Sequence, residues 1–266
     1  MRPHPELGLV LARGLGSQES SQAVHRPPVV RLNDVAEQEH GAEAYGRPGH
    51  RTDRCATASE LGGAAGATPV RLWNAVVVLR ARRPTPRELA DVARRCAGAR
   101  PTYERLGATL SGALPPGYVH DDESVLLGRG DGTFRAGRTA LVAWAAHRGS
   151  GIVVSEDAEV EEGRTVALAA PLPIGFALAV CRIIRVVDEP DRFGFAYGTL
   201  PLHPEEGEEA FLIERDTGGQ VRFRIVAFSK PRSRSARLAR PPARVLQLRA
   251  LRGYLRAMQG AAGADE

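Results

Sequence analysis

The sequence has almost no lysine. Of its 36 basic residues only Lys230 is lysine, and the rest are arginine. So one-sided a ratio is better explained by GC-rich coding than by selection for phosphate contacts, and the formal charge of +5 therefore says little about partners. Cysteine is scarce as well. Cys55, Cys96 and Cys181 lie far apart and form no C-x-x-C, which argues against a zinc ribbon or a redox motif and fits a reducing, cytoplasmic setting. No apolar run approaches the roughly 20 residues of a membrane-spanning helix. The opening MRPHPELGLVLARGL places Glu6 where a secretory leader needs an apolar core. G-x-S-x-G is absent, as are the full phosphate-loop and dinucleotide patterns. The GRGDG run at 128–132 reads as a plain turn, since Asp131 would repel a phosphate at the helix start that follows.

Residues 1–67 are poor in what a core needs. Leu, Ile, Val and Phe total eleven there, and Tyr45 is the one aromatic. Such a stretch buries too little apolar surface to offset its ordering entropy, so a disordered extension is expected. A helical lead-in is expected over 68–100. Thr85, Pro86 and Glu88 make a capping box with proline in the first turn, and Leu89, Val92, Ala93 and Cys96 follow at helical spacing. A second helix is expected from Thr133 to about Arg148, with Phe134 and Leu141 on one face, Trp144 at its border, and His147 on the far, solvated side.

From residue 152 the period changes to two. Strands are expected at 152–156, 165–170, 176–187, 192–200, 209–215 and 221–228, joined by short turns of which DTGG at 216–219 is the clearest hairpin signal. Short links between consecutive strands argue for an antiparallel meander. The chain then closes on a long amphipathic helix with Val245, Leu248, Leu251, Leu255 and Met258 in one stripe. The expected class is α+β: a curved antiparallel sheet over 101–260 gripping its C-terminal helix, with a cavity between them.

The run GFAYGTLPLHPEEGEEAF at 194–211, with CRIIRVVDEP before it and FRIVAFSKP and ARPPARVLQLRALRGYLRAM after it, resembles uncharacterised protein family 0548, also described as the domain of unknown function nineteen-ninety. The likeness covers about 101–259. The family usually has a glycine where this chain has Leu202. The resemblance implies a helix-grip fold of the START and Bet v 1 kind, and it brings no catalytic residue, metal or cofactor with it.

Three functions remain open on the residues themselves. The leading expectation is a site for a small, largely apolar ligand lined by Trp144, Tyr197, Thr199 and Ser229. An enzyme is the second. It would use His203 as acid or base, beside Glu206 or Glu209, in a loop over 200–209. The third is an anionic membrane surface or nucleic acid held by the arginine-rich end: eleven basic residues lie between Arg222 and Arg256, and no acid lies between Thr217 and Ala264. Sparse aromatics disfavour that last reading. No metal site is expected, because the residues of His120-Asp-Asp-Glu123 alternate between strand faces.

Overall fold

The computed structural model describes residues 67–72, 75–232 and 240–263. The expected extension over 1–67 lies outside them, apart from the first residue of β1. The first elements form a hairpin, β1 (Ala67–Leu72) and β2 (Ala75–Arg80), paired from Ala67↔Arg80 to Leu72↔Ala75. Helix α1 (Pro86–Arg95) carries the expected capping box: Thr85 accepts from the Glu88 N–H, and the Glu88 carboxylate accepts from the Thr85 N–H. A short turn of helix, α2 (Ala108–Ser111), precedes strand β3 (Val119–Arg129).

The expected single helix over 133–148 is two. Helix α3 (Gly130–Val142) starts three residues early, with Arg129 as its N-cap. Helix α4 (Ala145–Gly149) follows after a break at Trp144, a non-glycine residue in the left-handed region at φ 60°. Such a backbone costs energy in a bulky residue. Here the indole compensates: it is 1% exposed, and its N–H donates to the Ala158 carbonyl at 2.6 Å. Nothing in the local sequence announces that bond, because Ala158 lies on the far side of the next strand.

Strands β4 (Val153–Val154), β5 (Thr165–Pro171), β6 (Phe176–Glu189), β7 (Arg192–Thr199), β8 (Glu205–Arg215) and β9 (Gln220–Pro231) then form the meander. The spatial order is β4-β5-β6-β7-β8-β9-β3, antiparallel throughout, with the β1–β2 hairpin attached to the start of β6. Register shifts at Leu126/Gly128 in β3 and at Ile183/Arg185 in β6 mark bulges, which bend a sheet and raise its twist. The result is a curled half-barrel. The chain ends in α5 (Arg240–Ala262), which lies on the concave face with α3 and α4.

Strand alternation sorts the core into two layers. Val166, Leu168, Phe193, Phe195, Phe211, Ile213, Phe223 and Ile225 face the concave side, with Leu251, Tyr254 and Met258 of α5. Ala167, Ala169, Leu178 and Val180 face the other way and are covered by Leu89, Val92, Ala93 and Cys96 of α1. Leu202, at the position of the family's usual glycine, is 5% exposed and packs into this second layer. Among the described residues no helix is long and apolar enough to cross a membrane.

Candidate functional site

The concave face of a curled sheet cannot be filled by one helix along its whole length. Toward one end the large side chains give way to Ala170, Ala179, Ala227 and Ser229, and α5 stands off from the strands. The space left is a cavity of about 1180 Å³ between β3, β5–β9 and α5. Leu168, Ala227, Leu251 and Tyr254 supply apolar wall, and Asp121, Glu205, Glu209, Arg244 and Gln247 supply polar groups.

The polar groups follow from strand register. Because β8 begins at Glu205, four residues before the expected start, Glu205, Gly207 and Glu209 share one face and Glu206 and Glu208 the other. The expected long loop shrinks to 200–204. Glu209 faces the cavity and accepts from the Tyr197 hydroxyl at 2.8 Å. Burial, with Asp121 and Glu205 nearby, pushes its carboxyl up to about 7, although the Tyr197 hydrogen bond opposes the shift. Glu205 is raised by burial too, and accepts from the Gln247 amide at 2.5 Å. Asp121 is held by a two-point ion pair from Arg244.

Behind Tyr197 stands His147, and here the expectation of a solvated ring is corrected. The break at Trp144 turns α4 inward, so His147 is 0% exposed among Trp144, Phe211 and Tyr254. Its Nε2 lies 3.3 Å from the Tyr197 hydroxyl. That hydroxyl spends its proton on Glu209, so His147 is the donor, which assigns the Nε2–H tautomer. Its Nδ1 has no hydrogen-bond partner among the described residues. Burial pushes the imidazole down to about 3, so the ring is neutral.

The remaining residues singled out from the sequence divide between the cavity and elsewhere. Tyr197, Thr199, His203 and Ser229 border the cavity with Glu209. The Thr199 hydroxyl accepts from the Gly207 N–H at 3.0 Å and lies 2.6 Å from the Thr102 hydroxyl. Ser229 Oγ lies 3.4 Å from the Gln247 amide. His203 accepts at Nδ1 from the Glu205 N–H, and burial pushes its ring down to about 4. Glu206 is on the opposite face, bound to Lys230 and to the Tyr118 hydroxyl at 2.9 Å each, so it does not meet His203. Trp144 is in the core rather than the cavity wall.

Glu205, Arg244, Gln247 and Tyr254 were not expected in the site, His147 was expected to face solvent, and Asp121 was read only as part of a run that alternates faces. Alternation from an earlier start of β8 would have flagged Glu205, and the register of β3 decides Asp121, but the other four depend on where α4 and α5 cross the sheet. In 120–123, Asp121 faces in, Asp122 pairs outward with Arg224, and His120 meets the Pro115 carbonyl. Among the described residues no His, Cys, Asp or Glu cluster is arranged to hold a metal ion.

Known proteins resemble this chain over the same region. The family described as "Domain of unknown function (DUF1990)" matches residues 102–257. A UPF0548 protein of Deinococcus radiodurans is 34% identical over 193 residues, covering 68% of this chain and 98% of that protein. A UPF0548 protein of Arabidopsis thaliana is 29% identical over 121 residues, covering 43% of this chain and 59% of that protein. The crystal structure of major latex-like protein 151 from Panax ginseng aligns at 15% identity with a TM-score of 0.34, over 53% of this chain and 97% of that one. The family match and the Deinococcus relative agree: this chain belongs to the DUF1990 family, whose curated relatives carry the name UPF0548 protein.

Proposed function

We propose that this protein binds a small, largely apolar ligand between its sheet and its C-terminal helix. The observation that supports this most is the cavity of about 1180 Å³, large enough for a sizeable organic molecule and walled mainly by apolar side chains with a few grouped polar ones. Ala227 on β9 and Ala250 on α5 border it. Replacing Ala250 with Trp narrows the space without touching the buried aromatic cluster. Saturable displacement of a hydrophobic dye is expected from the unaltered chain, together with a roughly tenfold loss of affinity in Ala250→Trp. If the unaltered chain neither binds the dye nor carries a ligand in native mass spectrometry, the reading fails.

The enzyme reading through His203, Glu206 and Glu209 has less support, because Glu206 is committed to Lys230 on the other face of β8. One observation favours a role for the basic end. Arg249, Arg252 and Arg256 are exposed on α5, and none of them forms a salt bridge among the described residues. An anionic surface would meet them there, and elution from heparin at lower salt after Arg249→Glu and Arg252→Glu is the test.

A further inference from the structure

The ligand-binding reading leaves the charge of the cavity unexplained. Three carboxylates face it: Asp121 from β3, and Glu205 and Glu209 from β8. Asp121 forms the direct ion pair, with Arg244 of α5, whose charge also acts on Glu205 but not on Glu209. The hydrogen bonds to Glu205 come from neutral groups, the Gln247 amide and the Ser229 hydroxyl. Glu209 accepts one hydrogen bond, from Tyr197 to Oε2, and its other oxygen has no partner among the described residues. The wall beside them is apolar, with Leu168, Ala227 and Leu251. An ionised carboxylate in such a setting is costly unless a counter-charge meets it. The exposed rim arginines, Arg249 and Arg256, form no ion pair with either glutamate.

We infer that the ligand of this cavity is a cationic amphiphile, an apolar body bearing a protonated amine that donates to the free oxygen of Glu209, with Glu205 as the second carboxylate. The inference rests on the ligand-binding reading and adds the class of ligand to it. The site then sorts by charge. An amine supplies the missing cation, an alcohol of the same length supplies only a hydrogen bond, and a fatty acid adds a fourth carboxyl to a wall that already holds three.

The preference also depends on pH. The titratable groups facing Glu209 are Tyr197 on β7, Glu205 on its own strand, Asp121 on β3, Cys181 on β6, and Tyr254 with Arg244 on α5. His147 stands behind Tyr197 and is neutral. Arg244 is the one cation of this set; it pairs with Asp121, and its charge also acts on Glu205. Burial holds the Glu209 carboxyl up at about 7, whereas an alkylamine, like lysine at about 10.4, stays protonated well above that. Amine affinity therefore rises with pH through that value, and alcohol affinity does not.

Isothermal titration of the full chain with decylamine, decanol and decanoate tests this. At about pH 8, one unit above the Glu209 value of about 7, decylamine is expected to bind roughly tenfold more tightly than decanol, with decanoate weakest. The margin is expected to shrink at about pH 6, and in Glu209→Gln amine and alcohol are expected to agree within about twofold. The comparison on the unaltered chain needs no variant to fold. Decanol or decanoate binding as tightly as decylamine overturns the charge preference and leaves the cavity reading standing. If none of the three binds, the cavity reading falls and this inference falls with it.

Discussion

His147 and Glu209 stand at the two ends of one hydrogen-bonded chain through Tyr197, and burial shifts them in opposite senses. Glu209 rises from its ordinary 4.5 to about 7. Between those values the folded state holds the proton more tightly than the unfolded one. Stability is therefore fullest below about 4.5 and falls as pH rises to about 7, by up to about 3 kcal/mol, less where water in the cavity screens the charge. His147 falls from 6.5 to about 3. Here the unfolded state takes the proton first, so stability is full above 6.5 and is lost as pH falls toward about 3, on the order of several kcal/mol for so buried a ring. His203, lowered to about 4, adds to the acid side. Over the shared window the slopes oppose one another, and each single variant uncovers the other. Glu209→Gln is expected to gain stability over the unaltered chain above about pH 7. His147→Phe, which keeps a ring among Trp144, Phe211 and Tyr254, is expected to lose less stability on acidification. Urea midpoints across that pH range check both, and parallel curves for variant and unaltered chain would contradict the assignment. Of this chain, Tyr197 was legible from the period of its strand. His147 was not, because its direction depends on a left-handed tryptophan that no turn-forming residue announces.

At the scale of elements, the densest motif in the sequence turns out to be mainly structural. Glu208 is 2% exposed on the convex face, where it accepts from the Tyr103 hydroxyl, the Gly107 N–H, and both the N–H and the hydroxyl of Thr109. One carboxylate thus ties the segment leading into α2 against β8. Gly198 makes room for that contact, since a Cβ there would collide with the Tyr103 ring. Gly207, at φ 153°, lets the start of β8 close on the Phe228 carbonyl. These positions explain why the stretch reads as a fingerprint: it sets the distance between strands and what covers them. The sequence showed the strands and the hairpin clearly, but not that β8 starts at Glu205. A one-residue change of register exchanges the faces of every glutamate in the run. Replacing Glu208 with Ala would remove the acceptor of four hydrogen bonds, three of them buried, and a loss of about 3 kcal/mol or more is expected. Glu208→Gln keeps one acceptor oxygen and should lose less. Urea unfolding gives the magnitude. Hydrogen exchange at the Gly107 and Thr109 amides tells whether the clamp itself has opened; unchanged protection in Glu208→Ala would sink the account.

For the whole molecule, the sheet is covered on both faces: the start of the described chain covers the convex face, and α3, α4 and the C-terminal helix cover the concave one. The C-terminal helix and its stripe from Leu248 to Met258 were plain in the sequence, although Val245 at the head of that stripe is exposed; so was the amphipathic pattern of α1. What the pattern does not carry is which surface α1 meets, because an apolar stripe fits any apolar face of the right width. The lead-in over 68–100 is therefore part of the packed body: Leu89, Val92, Ala93 and Cys96 close over Ala167, Ala169, Leu178 and Val180. Farther along the same face, Tyr103 and Ala108 close over Phe228. Burying a large aliphatic side chain is worth about 1.5–3 kcal/mol, and a domain's net stability is only about 5–15 kcal/mol. Removing the chain through residue 111 would expose Leu178, Leu200, Leu202 and Phe228, each 5% exposed or less, and would take away every donor to Glu208. The half-barrel with its C-terminal helix is then expected to lose its sharp thermal transition while keeping much of its β-type far-ultraviolet signal, and to aggregate on sizing. The concave core and cavity would remain encoded in the shortened chain, so the experiment separates two ideas of this domain. If the truncated chain still unfolds cooperatively within about 1–2 kcal/mol of the full one, the convex layer is an accessory. If it does not, the segment before the strands is as much a part of the fold as the helix that the sheet grips.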